Sequence, residues 1–134
     1  MGFKYGMIEE KFSITNTTKS TLPRVPFVKI KDVALGKDYS LSLVFIGESK
    51  SRTLNRTYRQ KDKSTNILSF PIDKKSGEIF ITPSVAKKQM ASFDRKYDNF
   101  IAFLFIHGLL HLKGMPHGST MERAEDKLLK KFRI

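Results

Sequence analysis

From Phe100 to Ile106 every residue is apolar, within a helical pattern that extends from Tyr97 to Leu112. A helix that is hydrophobic on all sides cannot lie on a protein surface, because it has no polar stripe to turn toward water. It is also shorter than the roughly 18 residues that a membrane span requires, and no other stretch comes closer. Its cover must therefore be protein, and in 134 residues that means one shared core rather than two small ones.

The remaining chain supplies the elements for such a core. Lys11 to Thr15 alternates, with Phe12 and Ile14 on one side, which predicts a short strand. Pro26 opens a helix that places Phe27, Ile30 and Ala34 on one face, with Gly36 as its stop. Leu41, Leu43 and Phe45 alternate with serines in a strand over Tyr39–Ile46, and a helix follows from about Ser49 to Arg59. Asn66–Ile72 and Glu78–Thr82 read as a hairpin around Lys74–Gly77. A helix begins after Pro83 with Ser84 as its cap. The last helix starts at the capping-box pattern Ser119-x-x-Glu122 and carries Ala124, Leu128 and Phe132 as its stripe. The expected fold is α/β (α+β): one compact domain over residues 1–134, with a small mixed sheet of about four strands flanked by about five helices.

The long helix also carries chemistry. His107 and His111 are one turn apart, Gly114 ends the helix, and His117 follows; these are the chain's three histidines. Imidazoles at i and i+4 project side by side and can share one metal, and the glycine lets the chain reverse so that a third completes the set. Three nitrogen ligands without a fourth describe a catalytic zinc site with a position left for water. With no cysteine in the chain, thiolate metal sites, disulfides and cysteine nucleophiles are excluded. Zinc peptidases of the metzincin type share the spacing but place a glutamate directly after the first histidine as general base. Here that position is Gly108, which leaves a zinc peptidase as a weak alternative.

The charge is also concentrated. Lys+Arg number 25 against 13 Asp+Glu, a formal net charge of +12. Residues 50–63 hold Lys50, Arg52, Arg56, Arg59, Lys61 and Lys63 against Asp62 alone. On a helix, Arg52, Arg56 and Arg59 fall within about 60° of one another, with Leu54 and Tyr58 on the packing side. Guanidinium forks suit phosphates, so this stripe is a candidate nucleic-acid surface. Tyr58 is read as a core contact, with base stacking as its other possible use.

Two blocks then carry a family resemblance. His107–His117 resembles the H-G-x-L-H-L-x-G-x-D-H signature of the YbeY family of bacterial endoribonucleases, the rRNA maturation factors. Leu54–Pro71 is similar to that family's L-N-x-x-Y-R-x-K-D-x-P-T-D-V-L-S-F-P segment, and Gly77–Ile81 to its G-D-I-x-I strand. The resemblance spans about residues 41 to 130. It implies one Zn2+ per chain on His107, His111 and His117, with Arg59 and His111 as catalytic residues. Arg52, Arg56, Arg59, Lys61 and Lys63 would hold RNA. It further implies a cytoplasmic, single-strand-specific endoribonuclease in rRNA maturation (16S 3′-end processing) and ribosome biogenesis and quality control. Its partners would be single-stranded RNA or rRNA and the ribosome or ribosome-associated proteins, with no membrane. Two positions depart from the pattern: Pro116 replaces the Asp before the third histidine, and Asn66 replaces the Asp of the T-D pair. The alternative from another class is an RNA- or ribosome-binding factor with a structural metal.

Overall fold

The apolar helix, α4 (Tyr97–Leu112), is enclosed as its composition requires, with ten of its 16 residues buried. The computed structural model describes residues 6–9 and 11–134. On one side of α4 lies a five-stranded mixed sheet of order β1-β2-β3-β5-β4. Its strands are β1 (Gly6–Glu9), β2 (Phe12–Asn16), β3 (Ser40–Phe45), β4 (Ile67–Asp73) and β5 (Ser76–Ile81). The remaining helices are α1 (Phe27–Leu35), α2 (Glu48–Arg59), α3 (Pro83–Gln89) and α5 (Ser119–Phe132), and α1, α3 and α5 pack around α4. A short 3₁₀ turn, Met90–Phe93, links α3 to α4.

The strands pair as their alternation dictates. β2, β3 and β5 run parallel, and β2–α1–β3 is a crossover unit. β4 returns antiparallel on β5 as a hairpin, and β1 lies antiparallel on β2. Phe12, Ile14, Leu41, Leu43, Phe45, Ile79 and Ile81 share one face and form a single core with Ile101, Phe105 and Leu109. Phe105 stacks on Phe12 with centroids 6.2 Å apart and meets Phe27 edge-on at 5.0 Å. Burying each such side chain contributes roughly 1.5–3 kcal/mol. The single α/β domain, its four strands and its five helices stand where the sequence placed them, and β1 adds a fifth strand at the edge.

Three local expectations are corrected. Ser84 does not cap α3: Thr82 is the N-cap residue, and Ser84 Oγ instead donates to Glu48 Oε2 at 2.7 Å. The capping box of α5 does not form, because Gly118 is the N-cap residue and Ser119 already lies inside the helix. Tyr58 is not a core contact. It is 63 % exposed and leans on Phe70 with centroids 5.3 Å apart. The buried face of α2 is polar instead, formed by Ser51 and Asn55. The segment after the helix folds back over them. Ser51 Oγ donates to the Thr65 carbonyl (3.1 Å) and accepts from the Thr65 N–H (2.9 Å), while Asn55 Nδ2 donates to the Lys63 carbonyl (2.9 Å).

Candidate active site

The site is built by the end of α4, the reversal after it, and α5. His107 and His111 occupy the last two turns of α4, half-buried. The Gly114 N–H then bonds the His111 carbonyl (2.9 Å) and the Met115 N–H the Leu110 carbonyl (3.2 Å), closing the helix. Gly114 has φ +90°, a left-handed conformation that a side chain would strain. The chain turns back and brings the exposed His117 against the other two. Ring centroids are 4.6 Å apart for His107–His111, 4.6 Å for His111–His117 and 5.5 Å for His107–His117. One nitrogen from each ring lies within 4.8 Å of the others.

Protonation at the site follows from its neighbours. His107 Nδ1 lies 2.8 Å from Glu125 Oε2. A carboxylate only accepts, so this contact favours the tautomer with the proton on Nδ1 and the lone pair on Nε2. That Nε2 is 3.0 Å from Nε2 of His111. Two such nitrogens at this distance need a shared proton or a shared cation, and two nitrogens on one tetrahedral zinc stand about 3.3 Å apart. Burial first, then the neighbouring His107, His117 and Arg59, hold the His111 imidazolium below its usual range, so the ring favours its neutral, ligating form. The residues present thus fit a divalent metal.

Gly108 faces the sheet at close range. A Cβ there would lie 2.8 Å from Ile67 Cδ1, 2.9 Å from Ser69 Oγ and 3.2 Å from Ile79 Cδ1. The position that carries the general base in metzincins is used here to seat α4 on β4 and β5, and a glutamate has no room on that contact.

The three histidines open into a cavity of about 650 Å³, shared with Arg59, Glu125, Ser69 and Phe93. Arg59 is therefore separated from the rest of its stripe. Arg52 grips Asp62 through two bonds (2.8 and 3.0 Å), and Arg56 reaches the same carboxylate at 3.4 Å. All three side chains are about half exposed and outside the cavity. Lys61 and Lys63 are exposed on the segment after α2, also outside it. Asn66, at the family's Asp position, lines the cavity and donates to Gln89 Oε1 at 2.8 Å.

Glu125 was not singled out from the sequence. Its signal was present: it lies between the buried Met121 and Leu128 at i+4 and i−3, a carboxylate on the inward stripe of α5. It supplies near the three histidines a carboxylate of the kind that Pro116 lacks.

Fold and site together define a mixed α/β domain in which three histidines, positioned to bind a metal ion, share a cavity with Arg59. The Endoribonuclease YbeY family model matches residues 7–133. The endoribonuclease YbeY of Nautilia profundicola is 34% identical over 114 residues, covering 79% of this chain and 82% of that protein. The same enzyme of Phytoplasma mali is 40% identical over 100 residues (69% and 68%), and that of Paraburkholderia phytofirmans 34% over 124 (85% and 81%). The solution structure of a Thermotoga maritima protein shares the fold, with TM-score 0.64 and 20% identity over 91% of both chains. The chain belongs to the YbeY endoribonuclease family, whose activity is that of a nuclease, a hydrolase.

Proposed function

We propose that this domain is a zinc-dependent, single-strand-specific endoribonuclease. It acts in the cytoplasm on rRNA, in 16S 3′-end maturation and ribosome quality control, with the ribosome or its associated proteins as partner. The observation that carries the reading is the meeting of three inward nitrogens and Arg59 in one cavity. Zinc held by His107, His111 and His117 would supply a water of lowered pKa and a Lewis acid for a phosphoryl oxygen. The chain's own groups do the rest. Glu125 holds the Nδ1 proton of His107 and so fixes which nitrogen faces inward. Arg59 presents a guanidinium to the scissile phosphate and to the charge that grows on it. Arg52, Arg56, Lys61 and Lys63 follow the RNA backbone outside the cavity, a contact independent of sequence. Among the described residues no helix is long and apolar enough to cross a membrane.

Two further features favour a catalytic over a structural metal. The donor set has three histidines and opens into a cavity, and none of the three belongs to the apolar core, which closes without them. The test pairs metal analysis with cleavage of single-stranded RNA. Wild type should carry one zinc per chain and cleave. His111→Ala should lose both. Arg59→Glu should keep zinc and lose cleavage by about 100-fold or more. Cleavage by rigorously metal-free protein overturns the proposal, and unfolding on chelation would favour a structural metal.

A further inference from the structure

The histidine cavity contains an aromatic ring that metal and phosphate chemistry do not use. Among the described residues the large exposed apolar side chains are Val33, Tyr58, Ile72 and Phe93. Of these, Phe93 alone lines the cavity. Phe93 is 48 % exposed, a poor place for a side chain with no polar atom. It is nevertheless held firmly. Phe100 backs it with centroids 4.9 Å apart, and Phe103, another cavity residue, lies at 6.1 Å.

The mounting is also fixed. Phe93 ends the 3₁₀ turn, and Asp94 follows in a left-handed conformation, φ +53°. The Arg95 N–H closes the turn on the Met90 carbonyl at 3.1 Å. The Arg95 guanidinium lies over the Phe103 ring, 4.4 Å from its centroid, and bonds Asn99 Oδ1. A half-exposed ring, braced from behind and neighboured by a guanidinium, shares its cavity with Arg59 and the histidines.

We propose that Phe93 is the stacking platform for one nucleobase of the single-stranded RNA whose phosphate lies at the histidines. This rests on the endoribonuclease reading and adds to it a base subsite. Every base has a π face, so the subsite tolerates sequence and favours purines through their larger area. It also accounts for selectivity between substrates, because a base paired within a duplex has both faces covered by its neighbours and cannot lie on Phe93. Tyr58 is exposed too, but it stands outside the cavity against Phe70.

The test measures binding separately from cleavage. Fluorescence anisotropy reads a short labelled oligoadenylate, kept as its 2′-O-methyl phosphorothioate so that it survives, against wild type, Phe93→Leu, Phe93→Trp and Val33→Ala. Phe93→Leu should weaken binding by about 5- to 150-fold, the range for loss of one stacked base. Phe93→Trp should restore it, Val33→Ala should not change it, and zinc titration should be the same for all four. In wild type one abasic position near the cleaved bond should cost the same factor, and in Phe93→Leu that cost should vanish. If Phe93→Leu binds as wild type does while wild type still cleaves RNA, the stacking platform is overturned and the nuclease reading stands. If wild type neither binds nor cleaves single-stranded RNA, both are overturned. If Phe93→Leu leaves oligonucleotide binding intact but loses binding to intact ribosomes, the ring is a protein contact and the proposal is wrong.

Discussion

Glu125 Oε2 lies 2.8 Å from His107 Nδ1, a contact that favours the proton there and leaves Nε2 as the inward donor. Glu125→Gln keeps the shape but removes the charge that makes the imidazole a better donor. Zinc affinity should fall by about 10- to 100-fold, with the circular dichroism spectrum unchanged, as calorimetric titration would show. Unaltered affinity would make Glu125 a bystander. His111 gives a second expectation, for protein treated with chelator. Its folded-state pKa lies below the ordinary 6.5, chiefly through burial. Between the two values the unfolded chain holds the extra proton, so stability is complete above about pH 6.5 and is lost as pH falls below it. Glu48, Asp62 and Asp73 also have lowered pKa values, but they start from 4.5, 3.8 and 3.8, so their losses come at lower pH. Thermal melts between pH 7.5 and pH 5 should decline, and less so in His111→Ala. The histidines were legible in the sequence because i, i+4 and glycine are local geometry. Glu125 was not, because its contact spans 18 residues of chain and depends on how α5 packs on α4.

At the scale of elements, alternation and helical spacing located four strands and most of the helices, because these have an apolar face that the core must bury. The exceptions have physical causes. α2 buries Ser51 and Asn55, which no hydrophobic period can reveal, because what covers them is the segment that follows the helix rather than an apolar layer. That segment runs from the end of α2 at Arg59 to the cavity residues Thr65 and Asn66, so these bonds anchor one wall of the site. Ser51→Ala strands the Thr65 N–H without its partner, at a cost of about 1–3 kcal/mol. A denaturant titration should show the lower midpoint. The cleavage rate should fall as well, because both ends of the segment lie at the cavity. A variant of unchanged stability would mean that the segment holds its place without the serine. The caps misled for a similar reason. Ser84 and Ser119 have the right residue type, but their backbones already lie inside the helix, and Glu48 takes the Ser84 hydroxyl.

At the scale of the whole molecule, a net charge of +12 favours polyanionic partners but does not say where the charge is used. The fold divides it. Arg59 enters the cavity, while Arg52 and Arg56 share Asp62 on an exposed surface, where ion pairs contribute little to stability. The pairing still matters for RNA, because the Asp62 carboxylate takes up donors of both guanidiniums and offsets part of the charge that a phosphate would meet. Asp62→Asn frees both arginines without touching the histidines or Arg59. It should bind single-stranded RNA more tightly at low salt and lose affinity more steeply as salt rises, by about 0.7 in the log–log slope for each added phosphate contact. The turnover rate at saturating RNA should not change, since the cavity is the same. Anisotropy across a salt series reads both effects. A slope equal to that of wild type would show that Arg52 and Arg56 form a solvated face, leaving Arg59, Lys61 and Lys63 to hold the RNA.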